Sequence, residues 1–170
     1  FKDGFFWHKQ SLDKPTKTHR TLWSSGGSGV FNKSIWDKLG GLDELFDPFY
    51  EEDLDLGYRA SKRGYVNLWE PEAYVEHYKQ KGVIEENFSK KFVAKVAQRN
   101  QLLFIWKNIT SKKLINEHKS SLAKMLISHP KYWEIFIKAA LRFEKIYKKR
   151  LIEKKESTVS DEELLEMYNI

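Results

Sequence analysis

The spacing of hydrophobic residues divides the chain into two parts. Up to about residue 110, short apolar runs alternate with turns rich in glycine and proline, which is typical of a mixed α/β arrangement. Beyond residue 110, apolar positions recur only at helical spacing. We therefore predict an α/β part over residues 1–110 and a helical extension over residues 111–170.

Residues that start and stop helices and strands mark the elements of the first part. Asn32 is a suitable N-cap, while Gly40 and Gly64 are suitable C-terminal stops. The helices predicted from these signals and from the apolar periodicity span about 33–39, 52–63 and 88–109. The predicted extended segments are Val30-Phe31, Tyr65–Trp69 and 73–78, and residues 1–23 are interpreted as a hairpin or loop.

The helical part contains a basic amphipathic stretch over residues 130–151, which we predict to be one helix beginning at Pro130. Its apolar side would carry Trp133, Phe136, Ile137, Ala140, Phe143, Tyr147 and Leu151. Lysines cover the remaining side, and such helices can lie on anionic membranes. The alternative is packing against the rest of the chain or against a second copy of it. Ser160 and Glu163 form a capping box for a last short helix.

Composition and charge narrow the function classes. The absence of cysteine excludes a disulfide scaffold and a thiolate metal site. The net charge of +6 permits binding to phosphates or anionic lipid. The lysines follow no known nucleic-acid-reading motif, so we do not expect nucleic-acid binding. We see no transmembrane run and no signal peptide, and the start at Phe1 resembles the middle of a longer protein.

Four carboxylates fall within five positions at the start of the helix predicted over 52–63. They are Glu51, Glu52, Asp53 and Asp55. Adjacent acids repel one another, which favours a functional role or specific partners. The alternative is an acidic first turn that complements the helix dipole. Asp55 and Arg59 are four residues apart and can form an ion pair on one helix face.

A second candidate feature is the small-residue turn that contains Ser25, Gly26 and Gly27. It lacks the Gly-Lys-Ser/Thr ending of a Walker loop. Glycine allows the backbone to approach a ligand closely, but an ordinary tight turn would explain the same residues.

The order of these motifs resembles the second half of the catalytic domain of family-2 glycosyltransferases, which are inverting enzymes with a GT-A fold. The resemblance covers roughly residues 20–110 and rests on Ser25-Gly26-Gly27, Gly40–Glu44, Tyr50–Arg59, Arg63-Gly64-Tyr65, Pro71-Glu72-Ala73 and His77. It implies transfer of a sugar from a nucleotide-sugar donor to an acceptor hydroxyl, in cell-surface polysaccharide or glycan synthesis. The acceptor would be a saccharide or lipid-linked, and the enzyme would be bacterial, cytoplasmic and peripheral at the inner membrane face.

The resemblance also implies site residues. The implied catalytic residues are Glu52 and Asp53, and Asp53 would be the general base, because a carboxylate can take the proton of a hydroxyl as the new bond forms. His77 would bind a divalent metal, Mn²⁺ or Mg²⁺. The implied substrate-binding residues are Ser25, Gly26, Gly27, Trp69 and Arg59. For Trp69 the alternative is core packing, and for Arg59 it is the ion pair with Asp55.

This chain departs from the family pattern because the nucleotide-binding half and its Asp-X-Asp motif are not found in it. We therefore expect exposed apolar strand edges, self-association or a partner half, and no activity of these 170 residues alone. The alternative function is a non-catalytic module that binds a saccharide or a partner.

Overall fold

A computed structural model describes residues 1–7, 15–76 and 82–168. The strands are β1 (His19–Thr21) and β2 (Asn67–Trp69), and Glu44–Phe46 form one turn of 3₁₀-helix. The helices are α1 (Lys33–Leu39), α2 (Glu52–Lys62), α3 (Val83–Asn87), α4 (Lys90–Asn108), α5 (Lys112–Ser128), α6 (Tyr132–Ala140), α7 (Phe143–Glu156) and α8 (Asp161–Met167). The chain is therefore mixed α/β, as predicted, but helix dominates.

The caps expected from the sequence are present. The side chain of Asn32 accepts hydrogen bonds from the backbone N–H groups of Ser34 and Ile35, and Gly40 ends α1 in the left-handed conformation with φ of 78°. Ser160 and Glu163 form the predicted capping box at the start of α8. These local signals correctly placed three of the predicted helix ends.

The sheet is smaller than predicted. β1 pairs antiparallel with β2, with His19 opposite Trp69 and Thr21 opposite Asn67. The strand predicted at Val30-Phe31 is wrong, because those residues pair with no strand in the described part of the chain and lead straight into the cap of α1. Residues 73–76 also form no strand, and 77–78 lie outside the described residues. Leu68 of β2 is 55% exposed.

Helix α4 is the centre of the hydrophobic core. Leu102, Leu103, Phe104 and Ile105 have no exposed surface, and the helix packs against α2, α6 and α7. Residues from both predicted parts contribute to this one core, from Phe5 to Leu165. The start of α4 is less buried than its centre, since Phe92 is 42% exposed.

The single helix predicted over residues 130–151 is wrong, because the structure has two helices joined by a turn at residues 141–142. The buried positions are Tyr132, Ile135, Ala139 and Ile146. Most residues of the predicted apolar side are not packed against the rest of the described chain: Trp133, Ile137, Phe143, Tyr147 and Leu151 are each between 47% and 59% exposed. The turn shifts the helical phase, which a continuous periodicity could not reveal. Among the described helices, none combines the length and the apolar composition that crossing a bilayer requires.

Candidate active site

The start of α2 faces a pocket of about 340 Å³. The pocket is lined by Trp23, Tyr50, Glu51, Asp53, Leu54 and Ala97. These residues come from the segment after β1, from the start of α2 and from α4, so three parts of the fold meet there. Concave sites with converging polar groups are the usual places for ligand binding. The predicted base Asp53 therefore lies in a wall that a ligand could reach.

A glycine in α2 allows Trp23 to reach this pocket. A Cβ atom at Gly57 would lie 2.3 Å from the Cβ of Trp23 and 2.7 Å from the carbonyl oxygen of Leu22. Both distances are far below van der Waals contact. Only glycine at position 57 lets the chain leaving β1 pass this close to the helix, so the local sequence fixes one wall of the site.

Two backbone N–H groups hold the carboxylate of Asp53. Its Oδ1 accepts from the N–H of Leu54 at 2.7 Å, and its Oδ2 accepts from the N–H of Gly26 at 3.3 Å. The second contact brings the predicted base and the predicted small-residue turn together, although they are 27 residues apart in sequence. The N–H of Gly29 closes this turn on the carbonyl oxygen of Ser25 at 2.7 Å. Ser25, Gly26 and Gly27 thus form a tight turn that also borders the candidate site.

The neighbouring acids face different surroundings. Glu51 lines the pocket with Asp53, whereas Glu52 lines a second pocket of about 230 Å³ beside Asp47. Burial, followed by the charges of Asp53, Glu52 and Asp55, raises the pKa of Glu51 to about 7. Burial also raises the pKa of Glu52, and its Oε2 atom is buried without a hydrogen-bond partner among the described residues. The structure thus pairs Asp53 with Glu51 rather than with Glu52.

The sequence pointed to Glu51 as one of four acids but did not place it in the catalytic pair. The run of acids signalled a site, but the backbone decides which carboxyl faces the pocket. Tyr50 and Glu51 have φ values of 71° and 76°, in the left-handed region that residues other than glycine rarely adopt. The residue types at positions 50 and 51 do not predict that conformation.

Arg59 is buried, with 4% of its surface exposed. Its Nε donates to Asp55 at 2.7 Å, its Nη2 donates to the carbonyl oxygen of Gly41 at 2.7 Å, and its Nη1 donates to that of Leu39. Asp55 is also buried and accepts from Lys107 and Asn108 of α4. The predicted Asp55–Arg59 ion pair is confirmed, and this geometry favours a supporting role for Arg59 over contact with a substrate.

The remaining predicted residues lie apart from this pocket. Trp69 is 39% exposed in β2, with its ring 5.1 Å from that of His19, and is not part of the pocket lining. His77 lies outside the described residues. Within residues 1–7, 15–76 and 82–168, no three His, Asp or Glu side chains are grouped closely enough to hold a metal ion. The metal predicted from His77 therefore rests on the sequence alone.

Comparison with known proteins points to one class of enzyme. Over 57 residues the chain is 39% identical to N-acetylglucosaminyl-diphospho-decaprenol L-rhamnosyltransferase from Mycobacterium tuberculosis, in both strain CDC 1551 / Oshkosh and strain ATCC 25618 / H37Rv. The match covers 34% of this chain and only 18% of each relative. No family model and no solved structure matches the chain. This partial similarity supports a relationship to glycosyltransferases in general.

Proposed function

We propose that this chain belongs to a family-2 glycosyltransferase of GT-A fold that moves a sugar from a nucleotide-sugar donor to an acceptor hydroxyl with inversion. The observation that carries the proposal is the position of Asp53, in the wall of a pocket and held by the N–H group of Gly26. The similarity to a rhamnosyltransferase supports the same reaction class.

In this mechanism the acceptor hydroxyl oxygen attacks the anomeric carbon of the donor sugar. The bond from that carbon to the nucleotide diphosphate breaks, and the diphosphate leaves with the bonding electron pair. Asp53 takes the proton of the hydroxyl as the new glycosidic bond forms. Attack from the side opposite the leaving group inverts the anomeric centre. The N–H groups of Leu54 and Gly26 fix the carboxylate so that one oxygen lone pair can face the acceptor.

The relatives' name specifies a decaprenol-linked N-acetylglucosaminyl diphosphate and an L-rhamnosyl group. By analogy we propose a lipid-linked saccharide acceptor for this chain, in the synthesis of cell-surface polysaccharide. A divalent cation, Mn²⁺ or Mg²⁺, would neutralise the leaving diphosphate when bound, with His77 as a ligand. We expect these 170 residues alone to be inactive because the family's nucleotide-binding strands are not found in them.

We further propose that the protein contacts the membrane through the outer side of α6 and α7. We call the exposed apolar residues of α6, α7 and the turn between them the α6–α7 face: Trp133, Ile137, Leu141, Phe143, Tyr147 and Leu151. Nine Lys and Arg residues and four Glu residues fall between positions 130 and 156. An apolar face within a basic surface suits the headgroup region of an anionic membrane, where a lipid-linked acceptor is found. The competing occupant of this face is a second copy of the chain.

A transfer assay on the natural full-length protein tests the reaction. The assay uses a panel of nucleotide sugars with Mn²⁺ or Mg²⁺ and compares the native protein with Asp53→Asn and Asp37→Asn. Asp37 is the matched control, because it is an exposed carboxylate on α1 that pairs with Lys33. We expect Asp53→Asn to lose turnover by about 10² to 10⁴-fold while donor binding persists. Asp37→Asn should keep native turnover.

Unchanged turnover in Asp53→Asn would remove Asp53 from its role as base. Saccharide binding without turnover of any donor by the native protein would favour the non-catalytic module instead. Transfer by these 170 residues alone would contradict the expectation that they are inactive.

A further inference from the structure

One buried side chain of α4 is hydrogen-bonded to the loop that leads into the candidate site. Asn100 has no exposed surface, and its Nδ2 amide group donates to the carbonyl oxygens of Phe46, of Phe49 at 2.8 Å and of Tyr50 at 2.9 Å. The carbonyl group of Phe46 belongs to the last residue of the 3₁₀-helix, and those of Phe49 and Tyr50 lie in the loop between that helix and α2. A single amide thus satisfies much of the backbone of this loop.

The preceding residue fixes the orientation of that amide. Arg99 donates from Nε and Nη2 to the Oδ1 atom of Asn100, at 3.0 Å and 2.7 Å. Its Nη2 also donates to the carbonyl oxygen of Asp47 in the same loop. With its oxygen engaged by a guanidinium, the amide of Asn100 must turn its N–H groups towards the loop.

The loop needs such restraint because of its backbone. Tyr50 and Glu51 are consecutive non-glycine residues with φ values of 71° and 76°, a conformation that costs free energy for L-amino acids. The carbonyl oxygen of Tyr50, between these two strained residues, accepts from Asn100. The ring of Phe49 packs against Phe88 and Phe92, whose centroids lie 5.3 Å and 6.3 Å away. The strained turn is therefore held on both its polar and its apolar side.

We propose that Asn100, oriented by Arg99, is a positioning residue that holds the Tyr50-Glu51 turn so that Glu51 and Asp53 face the same pocket. Asn100 does not itself line the pocket, and it acts through the backbone of the residues that do. The expected effect of Asn100 on turnover rests on the function proposed above. Its expected effect on the position of Glu51 is independent of that function.

The titration of Glu51 reports this placement without an activity assay. The charged groups acting on Glu51 are Asp53, Glu52 and Asp55 of α2, and Tyr50 faces it from the loop. The pocket-lining residues from the segment after β1 and from α4 are Trp23 and Ala97, and neither side chain carries a charge. If the turn relaxes, Glu51 moves into water and away from the neighbouring acids. Its pKa should then fall from about 7 towards its ordinary value of 4.5.

The experiment compares Asn100→Ala with Gln101→Ala in the natural full-length protein. Gln101 is a matched control on the same helix, since its Nε2 donates to the carbonyl oxygen of Phe6, away from the loop. The Glu51 carboxyl is followed by carbon-13 NMR from pH 4 to 9 and assigned with Glu51→Gln. We expect the titration midpoint to fall by at least one pH unit in Asn100→Ala and to stay unchanged in Gln101→Ala. Turnover should fall at least about tenfold in Asn100→Ala, with donor KM changed less than about twofold.

An unchanged Glu51 titration in a folded Asn100→Ala protein would overturn the proposal. If that variant fails to fold, Arg99→Lys is the alternative test of the proposal. This substitution keeps the positive charge but loses the pair of guanidinium hydrogen bonds to Asn100. Arg99→Lys should shift the Glu51 midpoint in the same direction, and a native midpoint would overturn the proposal. If the native protein turns over no nucleotide sugar, the proposed function fails, and the NMR titration alone decides the positioning role.

Discussion

At the scale of single residues, four adjacent carboxyl groups acquire different properties from their surroundings. Asp55 is buried against Arg59 and Lys107, and Asp53 is held by backbone N–H groups. Glu51 faces a pocket among like charges, and Glu52 lines another. The sequence shows only a run of acids, but the fold gives each member different surroundings, and burial raises the pKa of Glu51 and of Glu52.

Glu51→Gln should stabilise the protein at neutral and alkaline pH. The folded-state pKa of Glu51, about 7, lies above its ordinary value of 4.5. Between these values the folded state binds more protons than the unfolded state, so the native protein loses stability as pH rises from 4.5 to 7. Glutamine carries no charge and removes this loss. We expect a gain in unfolding free energy of about 1 to 3 kcal/mol at pH 8, and almost none at pH 4, by urea denaturation.

The control for this prediction is Glu144→Gln. Glu144 is an exposed carboxylate on α7 that pairs with Lys148, and its loss should change stability by less than about 1 kcal/mol at either pH. Equal behaviour of the two variants at pH 8 would show that Glu51 is not perturbed as described.

At the scale of elements, the sequence predicted the ends of helices correctly where capping residues are present. The capping groups form hydrogen bonds to residues only a few positions away in sequence, so their effect can be recognised without knowing the fold. They are Asn32, Gly40 and the capping box of Ser160 and Glu163. The phase of α6 and α7 and the absence of a strand at Val30-Phe31 depend on what packs opposite them. Features that depend on tertiary packing cannot be recognised from neighbouring residues in the sequence. The left-handed turn at Tyr50-Glu51 is another such feature.

A buried carboxylate at the start of α8 contacts several parts of the chain. Asp161 accepts from the hydroxyl of Tyr58 and from Lys62, both at 2.7 Å, and from the backbone N–H groups of Thr110 and Ser111 at 2.6 Å. Burial by itself would raise the pKa of Asp161, but the hydrogen bond and charge of Lys62 hold it below its ordinary value. This carboxylate therefore joins α2, the start of α5 and α8.

Asp161→Asn should destabilise the protein strongly, because it leaves the buried ammonium of Lys62 without its counter-charge. Removing one partner of a buried ion pair typically costs about 3 to 5 kcal/mol. Since the folded-state pKa is lowered, this contribution is present above pH 3.8 and is lost as pH falls through the folded pKa. Urea unfolding should show the full difference from native protein at pH 7 and a smaller one at pH 3.

The neighbouring Glu162→Gln is the matched control. Glu162 accepts a hydrogen bond from the hydroxyl of Ser111 at the surface, so its loss should cost less than about 1 kcal/mol. A similar loss in both variants would mean that the buried pair contributes no more than a surface contact.

At the scale of the whole molecule, the two candidate surfaces share a scaffold. Helix α4 holds the loop of the pocket through Asn100 and also packs against α6 and α7, which carry the apolar α6–α7 face. The pocket and this face are thus attached to the same helix. An enzyme whose acceptor is anchored in lipid would need such a fixed relation between its membrane contact and its base.

Binding to anionic vesicles tests the role of the α6–α7 face. Tyr147 is 52% exposed on this face, and Tyr74 is 83% exposed in the segment after β2. In co-sedimentation at low salt, we expect the full-length protein to bind phosphatidylglycerol vesicles better than phosphatidylcholine vesicles. Tyr147→Ser should weaken this binding by about threefold to tenfold, because it removes apolar surface from the contact. Tyr74→Ser should leave it unchanged.

Salt separates the contributions to this binding. Raising the ionic strength should weaken binding to phosphatidylglycerol by screening the lysines, while the loss caused by Tyr147→Ser should persist because apolar contact is not screened. Equal binding to both kinds of vesicle would contradict the proposed membrane contact. So would a loss of vesicle binding in Tyr74→Ser as large as that in Tyr147→Ser. If the native protein is a dimer in solution that Tyr147→Ser dissociates, without any change in vesicle binding, then a second copy of the chain covers the α6–α7 face.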